Sequence, residues 1–168
     1  PVEQVTYSQT RHIEVSRPAL REKRVVMGFD PCEFTDAYKM LRTQVLQRLN
    51  EKHWNVLAVT SPGTGAGKTL TALNLAASLA LEVDYTVNSP KISKLVDELK
   101  ARYAGRIVIF DLPPVLDASD AMAFSPYVDA TLLVVEEGKT TKKEVENAVD
   151  MLSSTNILGT VLNKSGKG

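Results

Sequence analysis

The stretch VLAVTSPGTGAGKTLTALNLAASLA, residues 56–80, passes from an apolar run through three glycines into an Ala/Leu-rich segment. The run VLAVT reads as a short strand buried on both faces, because no polar residue alternates with its aliphatic ones. Residues 69–81 read as a helix covered on most sides. Between them, Gly63, Gly65 and Gly67 let the backbone curl so that several N–H groups face one anion. The N-terminus of the following helix adds its partial positive charge. This strand–loop–helix context is what a phosphate-binding loop requires. In that pattern Lys68 reaches the β- and γ-phosphates of a nucleotide, and the Thr69 hydroxyl binds Mg²⁺. The expected ATP-binding residues are therefore Gly63, Thr64, Gly65, Ala66, Gly67, Lys68, Thr69 and Leu70. One position departs from the G-x-x-x-x-G-K-[ST] pattern: its first glycine falls on Pro62. A purely structural glycine turn is the competing reading, and the Gly-Lys-Thr at a helix start weighs against it.

Outward from the loop, IVIFD at residues 107–111 is an apolar strand that ends in a carboxylate. Ligands of open α/β sheets bind at the carboxyl ends of the strands, so Asp111 is placed to hold Mg²⁺ directly or through its water. An Asp that opens a turn before Pro113 and Pro114 is the alternative for this residue taken alone. Two further strands are expected over 130–135 and 157–162. A helix over about 141–153 lies between them, capped at Thr140 or Thr141 and lined by Val145, Ala148, Val149 and Leu152. Another helix is expected from Ser89 and Pro90, with Ile92, Leu95, Val96, Leu99 and Tyr103 on one face. Short apolar strands alternating with helices predict an α/β fold, a parallel sheet with helices on both faces.

Upstream, Asp30, Pro31 and Glu33 have the spacing of a capped helix start. Phe34, Tyr38, Leu41, Val45 and Leu49 then make one apolar stripe. Residues 1–29 are polar and weakly patterned, an arm that packs on the domain or stays mobile. Its basic cluster, Arg17, Arg21, Lys23 and Arg24, is more often a solvated face than a binding site.

The 168 residues suit one domain of 30–168 behind that arm. Lys+Arg and Asp+Glu both total 20, a balance that argues against a nucleic-acid partner bound by phosphate neutralisation. Cys32 is the only cysteine, so neither an intrachain disulfide nor a cysteine metal cluster is expected, and the setting reads as cytoplasmic. With no apolar run of about 20 residues, association with a membrane is expected through a partner.

Four segments together resemble a known family, the cytoplasmic domain of bacterial tyrosine kinases (BY-kinases) of the capsular and exopolysaccharide type. These are P-loop NTPases of the Rossmann-like three-layer kind, relatives of the chromosome-partitioning ATPases. DAYKMLRTQVLQRL, from Asp36, is similar to the family's N-terminal helix. TSPGTGAGKTLTALNLAASLA is similar to its Walker A loop and helix. IVIFDLPPVLDASDAMAFSPYVDATLLVVEEGKTTKKEV is similar to its Walker B region, and ILGTVLNK to its last strand. The resemblance implies ATP- and Mg²⁺-dependent phosphorylation of protein tyrosine, with Lys68 and Asp111 in the catalytic machinery and Thr69 with Asp111 at the metal. It also implies control of polysaccharide polymerisation and export.

Further implications are an adenine contact from Asn163, a membrane adaptor of the polysaccharide chain-length regulator type, and self-association into a ring or dimer. Asp36, Lys39 and Arg42 occupy the spacing of the family's Glu-x-x-Arg-x-x-Arg interface motif. An exposed charged helix face is the equal alternative for these three. Two departures stand out. The family's Walker A′ strand, which ends in Asp-x-Asp-x-Arg, is not found, and a block is expected to be missing between Val87 and Asn88. Nor is a tyrosine-rich tail present before Gly168. An ATPase switch of the partitioning type is one alternative, although those relatives carry a lysine where Gly63 stands. A nucleotide-binding assembly module without turnover is another.

Overall fold

The computed structural model describes residues 16–25, 33–80 and 107–166. The expected cap at Asp30, the Walker A′ region and the helix from Ser89 lie outside the described residues. In chain order the elements are helices α1 (Arg17–Glu22) and α2 (Glu33–Lys52), strand β1 (Val56–Thr60), helix α3 (Lys68–Ala80) and strand β2 (Val108–Asp111). There follow helix α4 (Ser119–Phe124) with a 3-10 turn (Ser125–Tyr127), strand β3 (Ala130–Glu136), helix α5 (Lys142–Met151) and strand β4 (Asn156–Asn163).

The four strands form one parallel sheet in the order β2-β1-β3-β4. Parallel strands need crossovers, and here helices supply them on both faces. Alternation along β1 shows how the layers divide. Leu57 and Val59 pack with Val45 and Leu49 of α2 and Leu75 and Leu79 of α3. Val56 and Ala58 pack on the other face with Ala121, Phe124, Ala148 and Leu152. All five residues of β1 are buried, which is why its sequence reads as a continuous apolar run. This is the expected three-layer α/β architecture.

Several boundaries differ in instructive ways. The α5 helix starts as expected at Thr141, whose side chain and Glu144 form a reciprocal capping box. It ends at Met151, and Val149, expected on its core face, is exposed; Ala148 and Leu152 fill that face instead. The α4 helix and the 3-10 turn were not anticipated. Phe124 anchors them, meeting Phe110 of β2 edge-on at 4.8 Å between ring centroids. The range of the N-terminal arm contains α1. Just beyond it Val25 is buried, and the Asn74 amide of α3 donates to the Arg24 carbonyl at 3.0 Å.

The chain leaves β1 toward β2 on one side and returns to β3 on the other. That reversal beside β1 is the switch point of the sheet, where crevices form beyond the carboxyl ends of the strands. The loop 61–67 emerges there.

Candidate functional site

The loop's shape follows from its glycines. Gly65 and Gly67 have φ of 80° and 86°, in the left-handed region that side chains disfavour. Gly63 does not adopt a positive φ, and a methyl added there would meet open space. Gly67 is constrained twice, since a methyl there would run into the Asn163 side chain. The loop is also tied at its start. Ser61 Oγ donates to the Gly63 carbonyl at 2.7 Å, and Thr60 Oγ1 donates to the Pro113 carbonyl at 2.7 Å. Pro113 and Pro114 have no N–H, so the ladder beside β1 skips them. It resumes with Val115 N–H donating to the Ser61 carbonyl and Leu116 N–H to the Pro62 carbonyl, at 2.9 and 3.1 Å.

On the β2 flank, Val59 pairs with Asp111, which puts the carboxylate level with the end of β1. Thr69 Oγ1 donates to Asp111 Oδ2 at 2.7 Å, joining residues 42 apart in sequence. Both residues are exposed and Lys68 is half-buried at the first position of α3. Hydroxyl and carboxylate are hard oxygen donors. Mg²⁺ is held by one or two carboxylates with substrate phosphates, not by an all-protein cage, and this pair suits it. Among the described residues no group of three or more His, Cys, Asp or Glu side chains gathers for a metal.

On the opposite flank, Asn163 ends β4 opposite Glu136 at the end of β3. The Asn163 amide donates to the Ala66 carbonyl at 2.8 Å, so the last strand holds the loop backbone directly. Beside it, three residues that the sequence reading passed over converge. Glu136 Oε1 lies 2.9 Å from Lys164 Nζ, and Glu136 Oε2 lies 3.4 Å from Lys139 Nζ. The Lys164 hydrogen bond, with the charges of Lys139 and Lys164, holds the Glu136 carboxyl below the usual glutamate range, against partial burial. Gly138, at φ 72°, reverses the chain after β3. The signal available beforehand was the string EEGK at the exit of a buried strand.

The proposed interface triplet is divided. Lys39 Nζ and Asp36 Oδ1 form an exposed pair at 3.0 Å, whereas an Arg42 guanidinium nitrogen donates to the Ser78 carbonyl of α3 at 3.2 Å. No described helix is long and apolar enough to cross a membrane.

No protein-family model matches the chain. A stretch of 122 residues, 71% of the chain, is 29% identical to tyrosine-protein kinase YwqD of Bacillus subtilis (strain 168) and covers 44% of that protein. A stretch of 79 residues, 46% of the chain, is 35% identical to the succinoglycan biosynthesis transport protein ExoP of Rhizobium meliloti (strain 1021) and covers 10% of it. The matched stretches thus span less than half the length of these curated relatives. The kinase domain of Escherichia coli tyrosine kinase ETK superimposes with a TM-score of 0.68 at 21% identity, over 96% of this chain and 84% of that one.

Proposed function

We propose that this chain, whose sequence relatives include a bacterial tyrosine kinase and whose fold is that of such kinase domains, binds ATP at residues 63–69. It passes the γ-phosphoryl group to protein tyrosine in the control of exopolysaccharide or capsule polymerisation and export. The observation that carries this reading is the 2.7 Å contact of Thr69 with Asp111 beside a loop bent by left-handed glycines. Phosphoryl transfer asks little covalent chemistry of the protein; positioning and charge stabilisation supply the rate.

The backbone N–H groups of 63–69 cradle the phosphates, and the first turn of α3 turns its positive end toward them. Lys68 neutralises charge that builds on the transferring group. Thr69 and Asp111 are the residues that would hold Mg²⁺, which when bound offsets charge on the phosphate oxygens. Asn163, through Ala66, keeps the loop in register with β4, and an adenine contact from it belongs to the same proposal. Asp36, Lys39 and Arg42 are proposed as a self-association surface. The succinoglycan relative is named as a transport protein, which supports a membrane adaptor of the chain-length regulator type as the partner that brings the domain to the membrane.

The test is incubation of the full chain with γ-labelled ATP and Mg²⁺, followed by phosphoamino-acid analysis. Label on tyrosine that disappears in Lys68→Ala supports the kinase. Free phosphate without labelled protein would instead make the chain an ATPase switch.

A further inference from the structure

Lys139 has a place that an ordinary surface lysine does not need. Gly138 turns the chain back after β3, and Glu136 catches the returning ammonium at 3.4 Å. That ammonium also hangs over the phosphate loop: a methyl added to Gly65 would lie 3.4 Å from Lys139 Nζ. Gly65 has no side chain and faces the cation with bare backbone. Glu136 is closer to Lys164, at 2.9 Å, and the Lys164 side chain is 47% exposed, against 64% for Lys139. The longer of the two pairs is therefore the wetter one, and exposed pairs of this kind hold weakly.

We propose that Lys139 is a second cation of the phosphate site. It reaches from the turn between β3 and α5 onto the polyphosphate of a bound nucleoside triphosphate, with Glu136 as its resting partner. The inference rests on the ATP-binding reading of residues 63–69. A triphosphate carries several negative charges, which outcompete one carboxylate for a half-solvated ammonium at the loop's mouth. The geometry also supplies a cation where the loop lacks one. Gly63, where the partitioning ATPases carry a lysine, leaves Lys68 as the loop's own cation. Lys68 approaches from the start of α3, and Lys139 approaches from the β3–β4 flank. The anion is bracketed from two elements, while Asp111 and Thr69 stand on the third side.

The experiment titrates the full chain with fluorescently labelled ATP and competes it with inorganic tripolyphosphate, which has charge but no base. Lys139→Ala should weaken both ligands by roughly tenfold, as expected for one charge-assisted hydrogen bond, and flatten the salt dependence of binding. Lys139→Arg should restore most of the loss, and Lys143→Ala, on the exposed face of α5, should change nothing. The inference is overturned if Lys139→Ala binds both within about twofold of the unaltered chain while Lys68→Ala binds poorly. It is also overturned if labelled ATP weakens but tripolyphosphate does not, or if Lys143→Ala loses as much. Should Lys68→Ala also bind normally, the loop reading itself fails and this inference with it.

Discussion

The two flanks of the glycine loop at residues 61–67 are built on different principles. On the β2 flank, side chains meet across the sheet: a hydroxyl from α3 and a carboxylate from β2 touch at 2.7 Å. On the β3–β4 flank the loop's own backbone is held, by an amide donating to the Ala66 carbonyl, and the ion pairs of Glu136 set Lys139 over Gly65. The first flank presents exposed oxygen atoms at the sheet edge. The second decides whether the loop keeps the curl that makes its N–H groups converge. Two ways of shaping a loop thus meet on opposite sides of one strand, β1.

Substitutions that separate the flanks test this division. The largest effect is expected at Asp111. Asp111→Asn keeps shape and removes charge, and transfer should fall by about a thousandfold, on the scale of losing a preorganised electrostatic group. The fold's urea midpoint should move little, because the residue is exposed. A large stability loss would mean that Asp111 serves the fold instead. Next is Gly67→Ala. It forces a side chain to φ 86° and into Asn163, so the protein should lose about 1–3 kcal/mol in chemical denaturation. ATP affinity should fall as well, with the β2 flank intact. Equal stability and affinity in this variant would break the claim that the second flank shapes the loop.

The smallest effect is a pH dependence. Lys164 holds the Glu136 carboxyl below its usual range, and the Thr141 backbone and hydroxyl do the same for Glu144. A carboxyl lowered on folding stabilises the fold wherever it is ionised in both states, and that gain is lost as pH falls below the usual glutamate range. Melting temperature should therefore decline on the acid side. Glu136→Gln should flatten part of that decline without altering the profile near neutral pH.

Much of this was legible in one dimension. The expected strand at 56–60 is β1 residue for residue, and the helix expected from residue 69 begins one residue earlier, at Lys68. Those elements are strong local signals: a continuous aliphatic run, then glycines before an Ala/Leu-rich segment. The α4 helix escaped because SDAMAF is too short to show a helical period and is held by Phe124 against Phe110. Arg42 was grouped with Asp36 and Lys39 by spacing, yet it lies where α2 crosses α3 and turns to the Ser78 carbonyl. Spacing along a helix says which residues share a face, not which neighbour that face meets. The resemblance to bacterial tyrosine kinases was carried by such local strings and is matched by the relatives in sequence and fold.

The amino-acid sequence by itself determined the glycine loop, the strand that ends in Asp111 and the parallel, doubly covered sheet. Each follows from the conformational needs of a few neighbouring residues. Tertiary structure alone decided that Thr69 reaches Asp111, that Asn163 clamps Ala66, that Lys164 pairs with Glu136, and that Lys139 comes over Gly65. Those contacts join segments separated by a crossover or more. They depend on strand order and register, which the packing of the whole core selects and no local pattern encodes.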